Sequence, residues 1–91
     1  MKSRLMILLM SFLLILCALP ALADDLEGMI ESISPGDKSF VVQGIRFFET
    51  PATDYDDGLR CFDDLRTGQK VEVDFKYRGG NHIAMEIELE D

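Results

Sequence analysis

The stretch Gln69-Lys70-Val71-Glu72-Val73-Asp74-Phe75-Lys76-Tyr77, continued through Arg78-Gly79-Gly80-Asn81 into His82-Ile83-Ala84-Met85-Glu86-Ile87-Glu88-Leu89-Glu90, decides the fold. In its first half Val71, Val73, Phe75 and Tyr77 alternate with Glu72, Asp74, Lys76 and Arg78. That period of two belongs to a strand with one face on a core and the other in water. The second half alternates as well, and strict alternation places Ile83, Met85, Ile87 and Leu89 inward and Ala84, Glu86, Glu88 and Glu90 outward. Two such runs joined by a pair of glycines read as an antiparallel hairpin.

Toward the N-terminus, a mixed β-branched run from Gly28 to Ile33 enters the turn Ser34-Pro35-Gly36-Asp37. Lys38 to Val42 alternates again, and Gln43-Gly44 makes a two-residue hairpin into Ile45 to Thr50. These three strands form a meander. Ile30 and Ile33 are three apart, which breaks the period of two, and a β-bulge between them returns both to the core. Between meander and hairpin, Asp54 to Gly58 reads as a loop. Leu59, Phe62 and Leu65 have helical spacing over one or two turns, closed by Thr67-Gly68.

Three strands, a short helix and two strands are the elements of an all-β, five-stranded, partly open barrel of the oligonucleotide/oligosaccharide-binding (OB) type, with the helix plugging one end. The same elements also suit an open antiparallel sheet with the helix on one face. Closure is preferred because it hides strand edges that a chain this small cannot otherwise protect.

The first 23 residues carry a different signal. Lys2 and Arg4 precede a nearly continuous apolar run from Leu5 to Leu19, and Pro20 leads to Ala21-Leu22-Ala23. This is the pattern of an export signal cleaved before Asp24, leaving residues 24–91 as one small domain in the periplasm or outside the cell, with no stable membrane anchor. Acylation at Cys17 is disfavoured by Leu16, which stands where that chemistry takes a small residue. The mature chain then has seven basic and seventeen acidic side chains, a net charge of −10, and Cys61 as its only cysteine. No intramolecular disulfide is available, and Cys61 is expected to be buried as a small apolar residue rather than exposed to pair with another chain.

Glu27-Gly28-Met29-Ile30 through Ile33, Phe40-Val41-Val42-Gln43-Gly44-Ile45, Thr50, Thr53, Phe62-Asp63-Asp64-Leu65, Gly68 to Val73 and Ala84 to Ile87 resemble the secreted bacterial family catalogued as domain of unknown function 5666. The resemblance implies a small exported β-rich domain with a barrel-like fold. It brings no catalytic residues with it. The segment Asp54 to Asp64 is more acidic than the family's usual connection.

Asp54, Asp56, Asp57, Asp63 and Asp64 crowd a short segment, and hard cations are held by such carboxylates. The spacing does not fit a calcium loop: counted from Asp54, Gly58 falls at position five instead of six, and no glutamate stands at twelve. Asp54, Asp56 and Asp57 are the weak candidates for cation binding, against the plainer reading of solvated aspartates ahead of a helix. Cys61 and His82 are the only thiol and imidazole of the mature chain, too few for a structural zinc site, and nothing in their placement argues for a nucleophile–base pair. The strong negative charge repels nucleic acid, and no nucleic-acid partner is expected, although Arg46, Arg60, Arg66, Lys70, Lys76 and Arg78 could gather locally. No cofactor is expected. The expectation is a monomeric, non-catalytic binding or interaction module for a protein, peptide or cationic ligand, with Glu86, Glu88, Asp56 and Asp57 as candidate partner-binding residues. The rivals are calcium binding through Asp54–Asp64 and an enzyme dependent on Cys61.

Overall fold

A computed structural model describes residues 24–90, so the export signal read in residues 1–23 lies outside the described residues. The elements are β1 (Asp24–Ser34), β2 (Ser39–Val42), β3 (Ile45–Phe48), β4 (Asp54–Asp56), a single 3-10 turn (Phe62–Asp64), β5 (Lys70–Arg78) and β6 (Asn81–Leu89). The strands run in the order β3-β2-β1-β5-β6, and β6 returns to pair in parallel with β3. The result is the expected all-β, OB-like barrel of five strands, and it is closed. β4 is a sixth, short strand. It pairs in parallel with β6 further along the edge that β3 uses, so β3 and β4 act as one interrupted strand.

β1 serves two neighbours. Asp24–Met29 pairs with β5, and Ile30–Ser34 pairs with β2. At the changeover the register slips, with Ile30 opposite Val42 but Ser32 opposite Val41, so that Glu31 is the extra residue of the expected bulge. Ile30 is thereby buried and Ile33 packs against the core. The hairpin at Gln43-Gly44 forms as expected, with positive φ at both residues (51° and 74°), the conformation that matches strand twist in a two-residue connection. In the preceding turn the positive φ falls on Lys38 (55°) and not on Gly36.

The hairpin of β5 and β6 holds one correction. Near its turn Phe75 faces Ala84, but Asp74 faces Glu86, which leaves Met85 as an inserted residue. A bulge reverses the side on which every later residue falls. Ala84 is therefore fully buried, at 0% exposure, while Ile83 and Met85 are only half-buried; Ile87 points inward as expected.

Ile30, Phe40, Val42, Phe47, Val71, Val73, Ala84 and Ile87 fill the barrel, and Leu59, Phe62 and Leu65 belong to the same cluster. The helix predicted over Leu59–Leu65 is only the 3-10 turn. Cys61 before it and Leu65 after it are extended, and Asp57 and Gly58 just upstream have positive φ (55° and 98°). So short a run cannot offset the cost of starting an α-helix, while its three apolar residues still reach the core. The loop predicted from Asp54 is also corrected: Asp54–Asp56 is strand, because Tyr55 packs against the core and its flanking aspartates face outward.

Candidate functional site

Register places carboxylates opposite carboxylates across four strands. Asp25 faces Asp74, which faces Glu86, which faces Asp54. In the next outward layer Glu27 faces Glu72, Glu72 faces Glu88, and Glu88 faces Asp56. Two rows of four acidic side chains thus run side by side over β1, β5, β6 and β4. The bulge at Met85 produces this match. Had the pairing from the Gly79-Gly80 turn continued without an insertion, Asp74 would face Met85 and Glu72 would face Ile87.

The rows are close-set. Oxygens of Asp25, Glu72 and Asp74 lie within 4.8 Å of one another, as do those of Asp56, Glu86 and Glu88, and those of Glu72, Glu88 and Glu90. Among the described residues the only ion pair on this face is a long one, Lys70 Nζ to Glu27 Oε2 at 4.0 Å. Like charges directly opposed in a sheet destabilise it. The titration of the face reflects that. Partial desolvation, followed by the charges of Asp25, Glu88, Glu90 and Asp74, pushes Glu72 up to about 7. A hydrogen bond with the Asp56 carboxyl raises Glu86, helped by desolvation and by Glu88. Desolvation and the neighbouring Glu27 raise Glu90.

Of the four residues expected to bind a partner, Asp56, Glu86 and Glu88 come together. Asp57 does not: it lies past the end of β4 in a turn. Asp25, Glu27, Glu72 and Asp74 are the members of the rows that sequence reasoning missed, while Asp54 was read only as a weak cation ligand. The alternation of Glu72 and Asp74 could have found two of them, but only with the bulged register in hand.

The cation loop expected from Asp54 to Asp64 does not gather around a centre. Asp54 and Asp56 are on β4, while Asp64 accepts bonds from the backbone N–H and Nε of Arg60 (2.9 and 3.2 Å), which hold its carboxyl below the usual range. Each trio on the acidic face gathers three exposed or half-buried carboxylates, so a calcium ion there would need all three bidentate, or water, to reach its six to eight oxygen ligands.

Cys61 is exposed, contrary to expectation. The short connection turns Leu59, Phe62 and Leu65 inward, and Arg60 and Cys61 between the first two face solvent. Cys61 lies near Tyr55, whose phenol is pushed up by burial and by the Glu49 carboxylate beside it. Tyr55 pairs with Ile87, whereas His82 is five residues back along β6, roughly 16 Å at strand rise. There His82 rests edge-on against Phe47 and Tyr77. Neither Cys61 nor His82 joins any close group of three potential ligands among the described residues. Beside His82, an open hollow of about 360 Å³ is lined by Ile45, Arg46 and Phe48, with Arg46 Nη1 tied down to Ser39 Oγ at 2.8 Å.

The sequence profile described as "Domain of unknown function (DUF5666)" matches residues 27–88. No curated protein matches the sequence. Among solved structures, the fold is similar to that of CusF from Escherichia coli in its Ag(I) form, with a TM-score of 0.65 and 17% identity over 81% of this chain and 99% of that one. Apo-CusF gives a TM-score of 0.63 and 18% identity over 77% of this chain and 89% of that one. A substituted CusF with Cu(II) gives 0.63 and 18% over 76% and 92%. At this identity the likeness is one of fold.

Proposed function

Because this chain belongs to the DUF5666 family and its barrel turns two rows of four carboxylates outward, we propose that it is an exported, non-catalytic binding module whose acidic face takes a basic segment of a protein or peptide. The observation that carries the reading is the direct opposition of like charges over four strands. Scattered acidic residues would keep a small domain soluble at little cost, whereas carboxylates stacked in register raise one another's energy. A polycation laid across β1, β5, β6 and β4 removes that repulsion, so part of the interaction exists only in the complex. The silver and copper ions of the CusF structures are a different case in donor chemistry. Silver(I) favours soft sulfur ligands and copper(II) takes sites that include imidazole nitrogen, and this face offers carboxylate oxygen alone. Secretion or periplasmic residence rests on the signal read in residues 1–23.

The test is binding of an oligolysine peptide by titration calorimetry at low and physiological salt. Glu86→Gln with Glu88→Gln is expected to weaken binding and flatten its salt dependence, while Glu31→Gln with Asp63→Asn, an equal charge change off the face, leaves both close to wild type. Equal losses from the two pairs would assign binding to net charge and remove the face from the account.

A further inference from the structure

The same register that opposes carboxylates brings their oxygens within 4.8 Å of one another in trios. Ionised groups so close repel, and a proton bound by one of them relieves its neighbours, so the cluster holds protons more tightly than an isolated carboxyl. Glu72 is the centre of this arrangement. From β1 it is faced by Asp25 and Glu27, from its own strand by Asp74 and Lys70, and from β6 by Glu86, Glu88 and Glu90; Asp56 on β4 stands beyond Glu88. Two of the three close carboxylate trios include Glu72, and the third joins Asp56 to Glu86 and Glu88. Lys70 is the only cation paired within this set among the described residues, and it reaches Glu27 at 4.0 Å. Lys76 is on the same side of β5 but opposite Ile83, beyond the acidic rows.

We infer that the face over β1, β5, β6 and β4 is proton-loaded: near neutral pH it carries protons shared between carboxyls on adjacent strands, and a docking polycation displaces them, so that docking tightens as pH rises. The docking half rests on the function proposed above; the proton half stands on the face itself. The sign follows from linkage. A carboxyl whose folded-state affinity for protons exceeds its unfolded one contributes stability that is fully present below the unfolded value and lost as pH rises through the folded value. For Glu72 that window runs from the ordinary carboxylate range up to about 7, with Glu86 and Glu90 shifted in the same direction. The free domain is thus more stable at pH 5.5 than at pH 8, the reverse of the usual acid lability of paired carboxylates.

Two measurements decide it. The first is the melting temperature of the free protein from pH 5.5 to 8 at constant ionic strength, for wild type and Glu72→Gln. Wild type is expected to melt at a lower temperature at pH 8 than at pH 5.5, with the variant distinctly flatter. The comparison of the two proteins isolates the Glu72 carboxyl from every other group. Parallel curves overturn the proposal, as does a Glu72 carboxyl carbon resonance that titrates wholly below pH 5. The second is the dissociation constant of the oligolysine peptide over the same range, expected to tighten about tenfold if one proton is displaced. Salt-sensitive binding that is constant with pH overturns the proton linkage and leaves the acidic face as a docking surface. Absence of binding at every pH overturns that docking function, and with it the docking half here, whatever the melting curves show.

Discussion

The hydroxyl of Thr53 donates a hydrogen bond of 2.7 Å to the carbonyl oxygen of Ala84. It does so at the gap where β3 has left the edge of β6 and β4 has not yet joined it. Thr53 Oγ1 in turn accepts the backbone N–H of Thr50 at 3.0 Å, so one buried side chain stands in for a missing rung of the sheet.

Replacement of Thr53 by valine keeps the volume but leaves these backbone groups unpaired. The expected cost is about 1–3 kcal/mol, read from urea unfolding. A Thr53→Ser variant should recover most of it, and equal losses from both variants would assign the effect to packing.

Gly28 sits where β1 passes β2, and a Cβ built there would lie 2.9 Å from Val42 Cγ1 and 3.1 Å from Gln43 Cγ. Gly28→Ala should destabilise by about 1–3 kcal/mol, the usual range for overpacking. Combining it with Val42→Ala should cost less than the sum of the two single changes, because the clash is then absent. Additive losses would contradict a direct contact.

The bulge at Met85 predicts opposite outcomes at neighbouring positions. Ala84→Asp puts a charge in the core, as does Val73→Asp, and each should cost about 3–5 kcal/mol, enough to unfold a small domain. Met85→Lys should remain folded by circular dichroism. The opposite ordering would restore strict alternation along β6 and dissolve the acidic rows with it.

Calcium is expected to stabilise the domain no more than sodium chloride at equal ionic strength, since Gly58 is misplaced for a calcium loop and Asp64 is engaged by Arg60. A melting temperature about 5 °C or more higher in millimolar calcium than in the matched salt would indicate a specific site.

The exported protein is expected to begin at Asp24, whose backbone pairs with Phe75 as the first residue of β1. Intact mass decides it. A mass that keeps residues 1–23, or lipid on Cys17, contradicts the signal reading.

What the sequence determined by itself was whatever depends on neighbours along the chain. Val71 and Val73 alternate with Glu72 and Asp74, Gln43-Gly44 has one good hairpin conformation, and Ile30 and Ile33 cannot share a face without a bulge, so strands, turn and barrel were legible. The inward stripe of Leu59, Phe62 and Leu65 was legible too, although the backbone carrying it is one 3-10 turn and not the expected helix. Tertiary structure alone decided what depends on which residues meet. Ala84 looked like an outward residue until a bulge, invisible to alternation, reversed the parity of β6. Asp54 and Asp56 read as loop because a three-residue strand has too little pattern of its own; pairing with Glu86 and Glu88 makes it a strand. The acidic face follows from both. Its eight carboxylates come from four separated segments, and side-chain charges act through space within a few ångströms, so only the register of the closed barrel could bring them into two rows.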